Sequence, residues 1–239
     1  MTSSAIPTKT VLGTGVRDEA ALSSALATMF RGKFCNTLLR DRSPLRFNTG
    51  QALYDIGDSN RSMFFIQKGF VKIGTITPNG SEVIYDIRKA GDVAGEPCVA
   101  GSSRRDRAVA LEPADAIDVS YAEVISTLAI QPDLMAKLIE IFCDCLVDAY
   151  DQITNLATQD LTGRVVQVLL NLAVKLGNSN ADLVSIPAYL TQEEISQMVG
   201  ARRERVSTIL SSMRRRGLVD YSSRGHLILR VADLRNLLS

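Results

Sequence analysis

The spacing of apolar residues changes character several times along this 239-residue chain. Over 18–40, Ala21, Leu22, Ala25, Leu26, Met29 and Phe30 recur at helical intervals and Leu38 and Leu39 follow, which predicts one or two short helices closed by Pro44. From 45 to 120 the pattern is one of short apolar runs: Gln51-Ala52-Leu53-Tyr54, Met63-Phe64-Phe65-Ile66, Val71-Lys72-Ile73 and Glu82-Val83-Ile84-Tyr85. Turn residues separate them at Gly57-Asp58, Lys68-Gly69, Pro78-Asn79-Gly80 and Ala90-Gly91-Asp92. Strands spaced about ten residues apart with such punctuation predict a small β-barrel or sandwich. Pro78-Asn79-Gly80 is the clearest hairpin signal among them.

Beyond 121 the period is helical. Pro132 and Asp133 can open a long helix, on which Met135, Ile139, Phe142, Leu146, Ala149, Ile153 and Leu156 follow one another at alternating steps of four and three. A second apolar row, Leu134, Leu138, Ile141 and Cys145, runs beside the first. One row can face the chain's own barrel while the other faces a partner helix. Asp160 opens a further helix with Val165, Val166, Leu169, Leu170 and Ala173 inward, and Gly177 is expected at its C-cap. Gly177-Asn178-Ser179-Asn180 reads as a loop.

Residues 190–221 are the most informative. Thr191 and Glu194 have the spacing of a capping box, marking a helix start, and Ile195, Met198 and Val199 supply its apolar side. Gly200 stands where a tight turn between two helices requires positive φ. A second helix over about 202–216 puts Val206, Ile209, Leu210 and Met213 inward and ends at Gly217. Leu218–Tyr221 and His226–Leu229, joined by Ser222-Ser223-Arg224-Gly225, read as two strands of a wing. His226 is then a wing residue. The pattern is a winged helix-turn-helix.

Composition fits a globular chain, with 46% hydrophobic and 22% charged residues, and no stretch of about 20 residues is apolar enough to span a membrane. The N-terminus lacks an export signal, since residues 1–17 are rich in Thr, Ser and Gly and read as a flexible extension; a cytoplasmic location is expected. Net charge is only +1, but it is unevenly spread. From 191 onward, nine Arg face five acids, a surplus of four, which leaves −3 on the residues before. Six of the nine Arg lie within 202–216, where Glu204 is the only acid. Arginine suits bidentate contacts to guanine and phosphate, so this charge points to DNA. The single His and the four scattered Cys, with no CxxC, predict no metal site. Cys143 and Cys145, two apart on a helix, face away from each other and so do not pair with one another; they read either as packing thiols or as an intermolecular redox contact. No catalytic constellation is visible, and no enzyme activity is expected.

In order and spacing these segments resemble the superfamily of the cyclic-AMP receptor protein and the fumarate–nitrate regulator (Crp/Fnr). Residues 50–58 look like its first barrel hairpin, 64–73 like its central strands, and 156–164 with Leu169-Leu170-Asn171-Leu172-Ala173 like its hinge and the helix after it. The resemblance implies an α+β fold: a cyclic-nucleotide-binding-like β-barrel with flanking helices (18–131), a long dimerisation helix (132–158) and a C-terminal winged helix-turn-helix (159–239). It implies a homodimer paired through Met135, Ile139, Phe142, Leu146, Ala149, Ile153 and Leu156. It also implies a helix at 202–216 in the major groove of palindromic double-stranded DNA. Arg203 and Glu204 match the family's base-reading Arg-Glu, and Ser207 and Thr208 follow on the same face; Thr208 stands where the receptor protein has a third base-reading Arg. Thr191, Gln192, Arg202, Arg205, Arg214 and Arg224 are expected at phosphates.

For the barrel, the resemblance implies a small effector near Gly95, Glu96, Arg104 and Arg105. Gly95-Glu96 looks like the cyclic-nucleotide cassette, but the Arg-Ser/Thr-Ala run expected after it is replaced by Arg104-Arg105-Asp106-Arg107-Ala108. A Thr-Ser pair expected on the long helix is Ala149-Tyr150. Cyclic AMP, another effector and an effector-free dimer therefore remain open, and Gly95-Glu96 also reads as a plain barrel turn. Neither an iron–sulfur cluster nor a His-ligated haem is expected, because Cys35 stands alone near the N-terminus and the barrel has no His. The function expected is a DNA-binding transcription regulator, with RNA polymerase as a partner if it activates. The contrasting reading is a cyclic-nucleotide-responsive regulatory subunit without DNA binding, which leaves the winged helix unexplained.

Overall fold

A computed structural model describes residues 38–95, 103–177, 182–187, 190–222 and 225–238. The N-terminal extension and most of the helices expected over 18–40 lie outside the described residues.

The apolar runs of the first half form eight strands: β1 (Leu45–Phe47), β2 (Ala52–Tyr54), β3 (Ser62–Lys68), β4 (Phe70–Ile76), β5 (Glu82–Lys89), β6 (Val93–Ala94), β7 (Arg107–Ala110) and β8 (Ala114–Ser120). Among the described residues they do not hydrogen-bond into one closed ring. They make two four-stranded sheets, ordered β1-β8-β3-β6 and β2-β7-β4-β5, with the barrel's core between them. Phe47, Tyr54, Phe64, Ile66, Val71 and Ile73 belong to that core. Alternation along β3 sends Met63 and Phe65 to the opposite face, where they meet Leu38, Val124 and Leu128. Both faces of β3 are thus covered, which explains its unbroken run Met63–Ile66. The expected hairpin joins β4 and β5, with Thr77 N–H donating to the Ser81 carbonyl at 2.9 Å and Gly80 at φ 83°.

The β4–β5 register slips between Ile73 and Gly74, leaving Tyr85 as the extra residue. The slip puts Ile84 and Ile87 into one cluster with the C-terminal helices, while Tyr85 is exposed. Gly74 is required there, because a Cβ would lie 2.2 Å from the Val83 carbonyl oxygen.

Helix α1 (Tyr121–Ala129) is capped by Ser120, whose Oγ accepts from Glu123 N–H at 3.3 Å. Helix α2 (Pro132–Thr158) has 27 residues, Pro in its first turn, and a length of about 40 Å. It breaks at Gln159 and Asp160, both extended in backbone. Asp160 caps α3 (Leu161–Leu176), accepting from Gly163 N–H at 2.7 Å.

Gly177 does cap α3, but not in the left-handed conformation expected of a C-cap glycine: its φ is −65°. It is needed for closeness, since a Cβ would sit 2.2 Å from the Ala173 oxygen and 2.3 Å from Val184. Val184 lies on β9 (Leu183–Ser185), a strand too short to be legible from the sequence. β9 pairs with β11 (Leu227–Arg230), which pairs in turn with β10 (Val219–Tyr221), so the wing is a three-stranded sheet. Between them run α4 (Gln192–Val199) and α5 (Arg203–Arg215), and α6 (Val231–Arg235) ends the described chain.

Candidate nucleic-acid interface

The helix-turn-helix is built as the residues require. Thr191 Oγ1 accepts from Glu194 N–H at 3.2 Å while Glu194 Oε2 accepts from Thr191 N–H at 2.9 Å, completing the capping box. Gly200 ends α4 in the left-handed conformation at φ 68°, and nothing crowds the space a Cβ would take. The chain turns there, and α5 begins one residue inside the expected start. Val206, Leu210 and Met213 of α5 are buried and join Ile195 and Val199 of α4 in one core. Helical period then leaves Arg203, Glu204, Thr208, Ser211, Arg214 and Arg215 exposed on the opposite side.

Of the expected DNA residues, Thr191, Gln192, Arg203, Ser207, Thr208 and Arg214 line two clefts on this surface. Ser207, Thr208, Ser211, Arg214 and Arg215 line one cleft along α5, and Thr191, Gln192, Arg203, Tyr221 and Gly225 line a second beside it. Arg202 and Arg205 are exposed at the start of α5, whose N-cap carries no side-chain hydrogen bond. Two arginines hold acidic neighbours. Arg203 Nε lies 3.8 Å from Glu193 Oε2, and Arg214 Nε lies 3.2 Å from Asp220 Oδ1 on the wing, with its guanidinium 5.9 Å from the centre of the Tyr221 ring. Both ion pairs are solvent-exposed, so each is worth little and exchanges readily for phosphate or base. The Thr208 hydroxyl donates to the Glu204 carbonyl at 2.9 Å and must turn outward to meet a base. Arg224 lies outside the described residues. Ser211 and Arg215, which were not among the expected DNA residues, line the same cleft as Ser207, four and eight residues on from it. Tyr221 of the wing joins the second cleft because the wing folds back beside α5. His226 is half-buried in the wing, its N–H donating to Ser222 Oγ at 3.0 Å.

Along α2, Ile139, Phe142, Leu146, Ala149, Ile153 and Leu156 are exposed, as are Val147 and Tyr150. Met135 instead packs against the barrel cluster that includes Leu128. The side chains of the second row, Leu134, Leu138, Ile141 and Cys145, lie outside the described residues. Cys143 is exposed and makes no disulfide.

The effector candidates are less open. Gly95 is buried at φ 97°, Glu96 is outside the described residues, Arg105 is exposed, and Arg104 is buried within the barrel. Among the described residues no helix is long and apolar enough to cross a membrane, and no three His, Cys, Asp or Glu gather as a metal site.

Two family models match the chain. The cyclic nucleotide-binding domain spans residues 44–130 and the Crp-like helix-turn-helix domain spans 163–237. The chain is 28% identical over 192 residues to the CRP-like cAMP-activated global transcriptional regulator of Mycobacterium tuberculosis, covering 80% of this chain and 86% of that one. It is 28% identical over 176 residues to the cAMP-activated global transcriptional regulator CRP of Pasteurella multocida, covering 73% and 84%. The fold is similar to that of FixK2 from Bradyrhizobium japonicum, with a TM-score of 0.72, 22% identity, and 83% and 98% of the two chains covered. A CooA variant from Carboxydothermus hydrogenoformans gives a TM-score of 0.71 at 19% identity, covering 90% and 95%. The α4–Gly200–α5 unit, the wing, the two-sheet barrel and the long helix between them agree with these matches in kind and in order: the chain belongs to the Crp/Fnr superfamily of DNA-binding transcription regulators.

Proposed function

We propose that this protein regulates transcription as a homodimer that reads a palindromic DNA site, each protomer laying α5 in the major groove. The observation that carries this reading is the exposed face of α5. Arg203, Glu204, Ser207 and Thr208 stand on the solvent side of a helix anchored by Val206, Leu210 and Met213. Arg203 is the reader of guanine O6 and N7, and Glu204 accepts from cytosine N4. Ser207 and Thr208 follow at the next turn. Arg202, Arg205 and Arg214 meet phosphates, joined by Arg224 of the wing and by Thr191 and Gln192 at the start of α4. Because Arg202 gives α5 no side-chain cap, the positive dipole end of the helix favours a phosphate as well.

Pairing through α2 supports the palindrome. An apolar row of Ile139, Phe142, Leu146, Ile153 and Leu156 left exposed on one protomer is what a second copy covers. Two-fold symmetry then sets the two α5 helices one turn of DNA apart, about 34–36 Å. The protein works in the cytoplasm, with RNA polymerase as the further partner where it activates, and its chemistry is binding rather than catalysis.

Selection from random duplexes tests this reading. The expected result is an inverted repeat, with an affinity that falls by about 10³-fold or more between 50 and 200 mM salt if six or more phosphates are neutralised. Recovery of no preferred sequence overturns it.

A further inference from the structure

Residues 44–130 match the cyclic nucleotide-binding domain, yet the described part of the barrel interior does not fit such a ligand. A cyclic nucleotide is an anion, and the phosphodiester needs a cation or several N–H groups free to receive it. Among the described residues the buried cation of this barrel is Arg104, which is 3% exposed and held on three sides, with its Nε alone buried and without a hydrogen-bond partner. Its Nη1 donates to the Gly95 carbonyl at 3.0 Å, its Nη2 donates to the Ser62 carbonyl at 2.5 Å, and its guanidinium lies 3.9 Å from the centre of the Tyr54 ring. Gly95 is open only because it has no side chain: a Cβ there would stand 2.7 Å from Arg104 Nη1. The guanidinium therefore already fills the space above the turn.

Beside it stands a buried carboxylate. Asp106 is 4% exposed, its Oδ2 accepts from Tyr54 Oη at 2.9 Å, and its Oδ1 is buried with no hydrogen-bond partner. The neighbouring arginines offset this only in part for an incoming anion, through Arg107 Nε, which is buried without a hydrogen-bond partner. Arg107 Nη2 pairs with Asp55 Oδ2 at 3.2 Å, and Arg105 points to solvent while its carbonyl accepts from the Thr75 hydroxyl at 3.3 Å. A phosphate brought to Gly95 meets a cation held by two carbonyls and an aromatic face, and a buried carboxylate hydrogen-bonded to the same Tyr54.

We propose that Tyr54, Arg104 and Asp106 form a built-in polar cluster that replaces a cyclic nucleotide in this barrel, so that the protein neither binds cyclic AMP nor needs it to bind DNA. The proposal rests on the DNA-binding reading above for its second half only. The cluster's members come from β2 and from the turn before β7, and Arg104 reaches the carbonyls of Ser62 on β3 and of Gly95 just after β6, so the cluster ties the two sheets together.

The test uses the full-length protein. Cyclic AMP and cyclic GMP are titrated by calorimetry, and affinity for the selected duplex is measured by fluorescence anisotropy with and without each nucleotide. The expected result is no saturable heat up to about 1 mM nucleotide and a DNA dissociation constant unchanged within about twofold. Saturable binding at micromolar nucleotide, or DNA binding tightened about tenfold or more by it, overturns the proposal. Absence of any DNA binding defeats the functional reading instead, and calorimetry still decides whether the nucleotide is refused. Tyr54→Phe removes only the hydroxyl that Asp106 accepts from, and is expected to lower the melting midpoint by about 2–4 °C without creating a nucleotide response. An unchanged midpoint means that the cluster does not hold the barrel, and the proposal falls.

Discussion

Lys175, in the last turn of α3, sets its ammonium against both carboxylate oxygens of Asp86, in the middle of β5. Arg88 Nε approaches the same carboxylate at 3.2 Å, and Lys89 Nζ donates to the Lys175 carbonyl. These polar contacts rim the apolar seam made by Ile84 and Ile87 with the C-terminal helices. The barrel and the DNA-binding part are therefore joined by a mixed apolar and ionic contact. Any change in the hinge at Gln159-Asp160 has to break or carry this contact with it.

The pair has a pH signature. Burial pushes the Asp86 carboxyl up, but Lys175 and Arg88, with hydrogen bonds from Lys175 and from Ile87 N–H, outweigh it and hold the group below its ordinary 3.8. A lowered folded value means that the pair stabilises the protein fully above about pH 4–5 and that this share is lost as pH falls through the lowered value. Lys175→Met is expected to cost about 1–2 kcal/mol at pH 7, less than a fully buried pair, because both side chains keep some exposure. Urea unfolding at pH 7 and near pH 3 checks this: the gap between wild type and variant should shrink at the lower pH. A gap that is the same at both pH values refutes the assignment.

Base reading by Arg203 separates from phosphate contact by Arg214. Arg203→Ala should cost about 1–3 kcal/mol and relax preference at one base pair of each half-site. Arg214→Ala should weaken all sequences alike and flatten the salt dependence by roughly one phosphate, after allowing for the released Asp220. Affinities for a panel of single-base variants distinguish the two patterns. An unchanged sequence preference in Arg203→Ala sinks its role as a reader.

Dimerisation through α2 predicts that Leu146→Glu disperses the protein. Two carboxylates placed across a two-fold apolar seam are costly to bury, by about several kcal/mol each. Light scattering should report a monomer, and DNA affinity should drop steeply because one half-site is lost. A variant that stays dimeric places the interface elsewhere.

Two glycines that cap helices should respond differently to the same methyl. Gly200→Ala meets open space and carries only the strain of positive φ, about 1 kcal/mol. Gly177→Ala has an ordinary φ but drives a methyl into the Ala173 oxygen and Val184, so its cost should exceed that of Gly200→Ala, at about 2–3 kcal/mol. Chemical denaturation of the two variants ranks them, and the reverse order would contradict the packing account.

Local signals in the sequence were enough for much of this protein, because each depends on residues only a few positions apart. The Thr191–Glu194 capping box, the positive φ of Gly200, the turn at Pro78-Asn79-Gly80 and the inward row Val206, Leu210 and Met213 are of this kind, and they determined the helix-turn-helix and its exposed arginine face. What only tertiary structure decided is set by approach between distant segments. β9 exists because it pairs with β11, and Gly177 is required because Val184 arrives beside it. The β5 slip turns Ile84 and Ile87 toward the DNA-binding helices, and Arg104 is held by carbonyls at Ser62 and Gly95 and by the Tyr54 ring. A residue type declares which interactions it can make; whether Arg104 is free for a ligand depends on which backbone oxygens the fold has already placed around it.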